Sequence, residues 1–560
     1  MTNFSYNPDA AQDIVVYFII KKEQPFSLSE DPDFEYMLQK GFSPQFKGFS
    51  RNTTRNKVMQ KYENMKTELF KLFQGNKGRI CLTSDMWTAR QTLEYQCITA
   101  HFIDNNWQLN KRIFSFKNVE TPFDGHSLGV ALRNEIVASG LAFKIFSITL
   151  DNASYYNECI NYLKRHLPLS VNGNLFHVRC CAHILNLIVK DGLKFYNESI
   201  FRIRLAVKYI NSSAARVDLY RTICQHENMK FIKLPYDIET RWNATYTMLT
   251  AALRQRNAIN LFYDQNNIST SFAPPNNVDW QNAKLMKQFL KIFDESTKLF
   301  SYIYTPTSQI VLIQLKSIMT LFIQNITDAR FGPMIYAMKE KFDKYFNPMP
   351  HIFGIACLLD PRSKQEGLEF FLEGIFGNKD QSPSILKTFN NLYDEYKVII
   401  VPQMRQQEFE PARSSTSSRG RGLDWLTIKN RRLSEAQGQS PSEIPRYFIQ
   451  QDNNIYTDDF NILDYWRQQE ANFPVLAAIA RDVLAVPVST VASESAFSAG
   501  GRVIDDHRCR LHPQVVEALM VTRDSLYASQ RKQEFDERQR LQFDLDDITF
   551  GDPVELSESD

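Results

Sequence analysis

The sequence is poor in the features that mark several large protein classes. No CxxC pair occurs, and the eight cysteines are scattered at Cys81, Cys97, Cys159, Cys180, Cys181, Cys224, Cys357 and Cys509. So few thiols in 560 residues do not make a disulfide scaffold, and a reducing compartment is expected, cytosol or nucleus. No apolar run reaches the roughly 18 residues of a membrane span. The opening MTNFSYNPDAAQDIVVYF has no basic start before an apolar run, so no secretory signal is read there. Net charge is only +2. That is too little to argue for nucleic acid by itself, and any basic surface must be local. No internal repeat is found.

What is present is ordinary globular composition. Hydrophobic residues make up 43% and include 41 Phe, enough for large buried cores, and the length suits three or four domains. The stretch 52–74 reads as a helix capped by Asn52 or Thr53. Val58, Tyr62, Met65, Leu69 and Leu72 make its apolar stripe. Its other face is rich in Lys and Arg, which suits either solvent or DNA phosphates. Strands follow at 78–88, 95–104 and 107–119, the last two joined by the turn Asp104-Asn105-Asn106. A helix at 126–140 and a fourth strand at 144–154 come next. Three adjoining strands, a helix and another strand begin an α/β sheet whose fourth strand lies beside the first.

From about 185 to 350 the pattern is helical. The stretch 405–442 is rich in Ser, Arg, Gly and Gln and reads as a disordered loop. It carries six basic residues and one acid between 413 and 432, so it suits either a solvated linker or contact with nucleic acid. Helices resume at 461–486 and 511–542. The last 20 residues hold seven acids and no Lys or Arg, an acidic tail.

Asp85 and Asp151 both end apolar strands. If those strands pair in parallel, the two carboxylates emerge together at the sheet edge where ligands of open α/β sheets bind. Two carboxylates about 4 Å apart repel by roughly 4 kcal/mol at an effective dielectric of 20, and a divalent cation removes that repulsion. Such a site suits phosphodiester displacement. The alternative is an Asp capping the turn after a strand. Glu494, flanked by Ser493 and Ser495 in VASESAFSAGG, reads as a helix cap or as the last acid of a site built elsewhere. Cys180 and His183 have CxxH spacing, compatible with half a zinc site or with a buried Cys beside a hydrogen-bonded His. Cys224 and His226 form no second half-site. Arg241 and Trp242 open a helix, where the Trp suits core packing or stacking on an unpaired base.

The segments LTSDMWT, ITLDNAS, RCCAHILNLIVKDGL, ETRWNATYTML, LLDPRSK and FPVLAAIARDVLAVPVSTVASESAFSAGGRVI occur in this order. Together they resemble a transposase of the hAT superfamily (hobo–Activator type), of the plant and fungal zinc-finger-BED, sleeper-like branch, over about residues 10–528. The resemblance implies an α/β plus α architecture. An RNase H-like mixed sheet is interrupted by a large all-helical insertion, and a C-terminal dimerisation region completes it. The divisions are 1–76 for an N-terminal helical region, 77–190 for the first part of the catalytic domain and 191–460 for the insertion. The dimerisation region is 461–530 and the acidic tail 531–560.

The resemblance makes Asp85, Asp151 and Glu494 the catalytic acids and the ligands of Mg2+ or Mn2+. Cys180 and His183 fall beside the active site. Arg241 and Trp242 fall on DNA, the Trp stacking on a flipped base. The reaction implied is cleavage of a strand at the transposon end, hairpin formation on the flanking DNA and strand transfer. It is implied for a homodimer or higher oligomer in the nucleus. A regulatory DNA-binding protein derived from a transposase, or a dimerisation partner alone, are the other readings. The sequence departs from the family in three places. The BED finger is not found in this chain, Ser525 follows Asp524 where a Trp is usual, and Tyr465-Trp466 stands where two Trp are usual.

Overall fold

The computed structural model describes residues 6–89, 93–120, 124–238, 241–264, 272–407, 442–451, 455–457, 459–504 and 511–546. Almost all of the basic stretch 405–442 and the end of the acidic tail lie outside the described residues.

The N-terminal region is helical: Pro8–Lys21, Pro32–Gly41 and Arg51–Gly75. The long third helix starts one residue before the expected span, because Ser50 is its cap and accepts from the Thr53 N–H at 3.2 Å. Its buried stripe is Thr54, Val58, Tyr62, Leu69 and Phe73. Leu72 is instead exposed, because a 3.6-residue turn brings Phe73, not Leu72, under Leu69. The basic face of this helix is partly neutralised within the chain. Lys57 and Lys61 reach Asp13 at 3.2 and 3.3 Å, and Lys66 stands 3.9 Å from Glu135.

Five strands follow: β1 (Ile80–Thr88), β2 (Glu94–Ile103), β3 (Leu109–Val119), β4 (Ile145–Leu150) and β5 (His177–Arg179). They form one mixed sheet in the order β3-β2-β1-β4-β5. β1, β2 and β3 pair antiparallel, while β4 runs parallel to both β1 and β5. The fourth strand therefore lies beside the first, as expected. The expected turn forms too: Asp104 Oδ1 accepts the N–H groups of Asn106 and Gln108, both at 2.9 Å. β5 escaped the sequence reading because three residues carry no periodicity. Helices Gly125–Ala138 and Tyr155–His166 pack together against one sheet face.

After helix Cys181–Leu193 the chain leaves the sheet for a helical insertion that runs through Ser382–Gln407 and Glu443–Ile449. It returns through Ile462–Gln469, Pro474–Val483, Val491–Val503 and Pro513–Asp546. The single helix expected over 461–486 is two, since Pro474 cannot continue the first and opens the second. The final helix runs four residues past the expected 542, into the segment expected to be tail. It packs on β3 and on the long N-terminal helix. There Asp524, whose successor departs from the family pattern, keeps its side chain only 9% exposed and pairs with Lys111 at 2.8 Å. Its second oxygen accepts the Ile113 N–H at 2.7 Å, beside the irregularity in the β2–β3 ladder.

The returning chain is locked by Arg481 and Asp482, both buried. Asp482 accepts the Arg79 N–H at 2.7 Å and the Tyr396 hydroxyl. Arg481 donates to the Asp104 carbonyl and to Glu470, and lies 4.0 Å over the Trp107 ring. Gly78 has no room for a side chain: a Cβ there would stand 2.8 Å from Arg481 Cδ and 2.9 Å from Asp482 Oδ1. Gly78→Ala is expected to cost about 1–3 kcal/mol, read as a lower urea midpoint. An unchanged midpoint would show that this lock yields freely.

Candidate active site

The site grows from the parallel pairing of β1 with β4. Thr83 is opposite Thr149 in that register, the last paired position. Asp85 and Asp151 each lie two residues beyond it, so they share one pleat parity at the same sheet edge. Asp85 is not at the end of its strand, as expected, but inside it: β1 continues to Thr88 against β2, with Asp85 opposite Cys97. Asp151 does follow the last residue of β4. Its Oδ1 accepts the Ala153 N–H at 2.9 Å, so the turn-capping role weighed for it is real. Asp85 Oδ1 accepts the Met86 N–H at 2.8 Å.

Glu494 reaches this edge through the loop 486–490, which is bonded on two sides. Toward the sheet, the Pro487 carbonyl accepts the Thr149 hydroxyl at 2.6 Å and the Val488 carbonyl accepts the Cys181 N–H at 2.8 Å. Toward the insertion, Ser489 donates to the Phe300 carbonyl at 2.7 Å and the Val488 N–H to Thr307 at 3.4 Å. Helix Val491–Val503 then lies on the sheet. Phe497 stacks on Trp87 at 5.8 Å, and a Cβ on Gly500 would stand 3.1 Å from Phe116. The small residues Ala496, Ala499 and Gly500 are buried in that contact. Glu494 is an exposed first-turn residue, and its Oε1 is 3.3 Å from the Thr490 hydroxyl.

Asp85 feels the charges of the other two acids. Burial pushes the Asp85 carboxyl up to about 7, the Met86 N–H opposes this, and the negative charges of Asp151 and Glu494 add to the rise. Among the described residues no three His, Cys, Asp or Glu side chains are gathered closely enough to hold an ion as they stand. The chemistry of the donors nonetheless fits a hard cation, which prefers carboxylate and amide oxygens. Beside Asp151, the buried Asn152 Oδ1 has no hydrogen-bond partner among the described residues.

Cys180 sits beside these acids and makes no zinc half-site. It caps helix Cys181–Leu193, its N–H donates to the Leu150 carbonyl at 2.8 Å, and its Sγ accepts from His183 N–H at 3.4 Å. The Thr490 N–H and hydroxyl also point at Sγ, each at 3.4 Å. Burial is the main cause that pushes the thiol up to about 11, so it stays protonated. His183 is half-buried and contributes its backbone N–H. Arg241 is exposed, but Trp242 is only 2% exposed, packed in the insertion core with its ring 6.3 Å from Tyr246. In this conformation Trp242 is a core residue and offers no face to a base, which corrects the stacking role the resemblance implied.

Sequence reading missed the residues that hold Glu494 in place. Ser493 Oγ is 2.6 Å from Thr83 Oγ1, which is 2.5 Å from Thr99 Oγ1, and that hydroxyl is 2.9 Å from His101 Nε2. All four residues are buried. The available signal was polar residues at alternate positions of strands that otherwise read as apolar. His101 is held down to about 3, first by burial and then by Lys111, with Asp524 opposing. A histidine with a depressed folded value supports the fold while neutral, and that support is lost as pH falls below its unfolded value.

Comparison with known proteins fits this geometry. Residues 83–175 match the ZBED1 RNase-like domain and 178–289 the ZBED1 RNase-like helical domain. Residues 309–396 match the hAT-like transposase, RNase-H fold, although that stretch is helical here and the sheet lies earlier. Residues 445–526 match the hAT family C-terminal dimerisation region. The chain is 32% identical over 535 residues to the AC transposase of Zea mays, covering 92% of this chain and 65% of that protein. It is 30% identical over 554 residues to RICESLEEPER 2, a zinc finger BED domain-containing protein of Oryza sativa subsp. japonica, covering 94% of this chain and 75% of the relative. DAYSLEEPER of Arabidopsis thaliana is 27% identical over 540 residues, with 94% and 75% covered. The chain thus spans just under two thirds of the maize relative's length. An RNase H-like mixed sheet with a helical insertion and a dimerisation region is the transposase type of architecture. The chain belongs to the hAT superfamily.

Between about pH 6.5 and pH 4 the wild type is expected to lose stability, because the unfolded chain binds a proton at His101 that the folded chain refuses, by at most about 3 kcal/mol. His101→Gln keeps a polar partner for Thr99 and cannot titrate, so its urea midpoint should fall less over the same range. Parallel pH slopes for the two proteins would sink this assignment.

Proposed function

We propose that the chain is a hAT-type DNA transposase that cuts DNA strands with a DDE site formed by Asp85, Asp151 and Glu494. The supporting observation is two aspartates at equivalent register on paired parallel strands, with a glutamate from beyond the insertion whose charge acts on Asp85. Mg2+ or Mn2+ held by the three carboxylates would supply charge stabilisation at the reacting phosphate and activation of water. Asp85, poised at about 7, ionises readily once positive charge is near. Asp151 is kept at the edge by its turn, and Glu494 by the Ser493–Thr83 bond.

The reactions proposed are strand cleavage at the transposon end, attack of the freed 3′-hydroxyl on the opposite strand to leave a hairpin on flanking DNA, and strand transfer. Each exchanges one phosphodiester for another after the first hydrolysis, so positioning by one site can serve them all. The protein would act in the nucleus as a homodimer or higher oligomer through its dimerisation region.

The test is incubation with a duplex carrying the terminal repeat of the encoding element, in Mg2+. Wild type should nick the strand and form hairpins. Asp85→Asn and Glu494→Gln should each lose on the order of 1,000-fold or more, the scale of disabling one member of a catalytic unit. No cleavage by wild type with DNA binding intact would replace this reading with a regulatory DNA-binding protein. Dimerisation without DNA binding would leave only the dimerisation partner.

A further inference from the structure

Away from the carboxylates, the helical insertion carries an open groove between helix Trp242–Arg254 and helix Asn277–Phe300. Five cations line it, Arg254, Arg256, Lys284, Lys287 and Lys291, beside Tyr246 and without an acidic side chain. In a chain of net charge +2, this is a marked local excess.

Several helical cations elsewhere in the insertion are matched with acids. Lys194 meets Asp191 at 2.6 Å, Lys298 meets Asp294 at 2.5 Å and Lys339 meets Asp343 at 2.5 Å. Among the described residues, in the groove only Lys291 has such a neighbour, Glu295 at 3.7 Å. Arg256 donates to the neutral Asn277 side chain at 2.8 Å, and among the described residues it has no acidic partner. Arg254, Lys284 and Lys287 have no acidic partner among the described residues. Like charges three and four residues apart weaken a helix, so the row has a cost that an anionic ligand would offset.

The shape narrows that ligand. Lys284, Lys287 and Lys291 fall on one helix face and span about 10 Å along its axis. A lone phosphate is gripped by converging donors, whereas a row of cations along an open groove matches phosphates repeated along a strand. We infer that this groove binds the sugar-phosphate backbone of duplex DNA outside the cleavage site. The inference rests on the reading of DNA as substrate. Such contacts set position and affinity and read no bases.

The test measures binding of the full chain to a blunt, mixed-sequence DNA duplex by fluorescence anisotropy, in EDTA, across a KCl series. The variant is Lys284→Gln, Lys287→Gln and Lys291→Gln together, since Gln keeps helix propensity. Its far-UV circular dichroism and thermal midpoint should match wild type. The slope of log affinity against log salt should become shallower by about 2 to 3, close to 0.9 for each lost phosphate contact. A folded variant with unchanged slope and affinity would overturn the inference. So would an equal loss in a control triple, Lys40→Gln, Lys47→Gln and Lys387→Gln. Loss of affinity for a polyglutamate peptide with DNA binding intact would overturn it in favour of an acidic protein partner. The Mg2+ cleavage assay reports separately. Cleavage by wild type with an unchanged slope in the variant refutes only the groove. A changed slope with no cleavage refutes only the nuclease.

Discussion

The structure depends on one buried charge cluster, that of Arg481 and Asp482. An ionised group taken from water without partners is strongly disfavoured, so each must find several. Asp482 finds the Arg79 N–H before β1 and the Tyr396 hydroxyl on an insertion helix. Burial pushes its carboxyl up, while Arg79 and Tyr396 pull it back toward the charged form. Arg481 finds the turn between β2 and β3 and Glu470 on the preceding helix. Four stretches far apart in sequence thus satisfy two adjacent residues. The chain can return to its sheet after the long insertion in only one arrangement.

From that anchor the site follows over a short distance. The loop 486–490 is bonded to the sheet on one side and to the insertion on the other. It delivers helix Val491–Val503 onto the sheet with little freedom, and the Ser493–Thr83 bond fixes its first turn. Two serines around Glu494 therefore have unequal roles: Ser493 is buried against Thr83, while Ser495 is exposed. The small residues after Glu494 let the helix approach Trp87 and Phe116 closely. The cap reading of Glu494 fails, because Thr490 is the N-cap and no side chain caps the helix, yet a carboxylate in the first turn is still favoured by the helix dipole.

Charge is distributed along similar lines. The basic face of the long N-terminal helix looked like a candidate for phosphate contact, but Asp13 and Glu135 take up part of it. The groove of the insertion is the reverse. Its cations come from three helices that only folding brings together, so no basic run in the sequence announces it.

Much was legible from residue pattern alone. Alternation and apolar runs located β1 to β4, the turn residues located the β2–β3 hairpin, and strand-end acids pointed to the sheet edge. Family resemblance supplied the connection to Glu494, which no local pattern carries. Local detail slipped where neighbouring choices differ by little. Ser50 competes with Asn52 and Thr53 as a cap, and Phe73 competes with Leu72 for the buried stripe. Trp242 was open between core packing and base stacking, since an aromatic at a helix start looks the same in a core or on a surface, and the core reading is the one the fold shows. The sequence by itself determined most strands and helices and which acids could meet, because periodicity and residue type are local. Only the tertiary structure decided that Ser493, next to Glu494, bonds Thr83 on β1, that Trp242 is buried and that five cations share a groove. Those depend on how a few buried polar contacts order the whole chain in space.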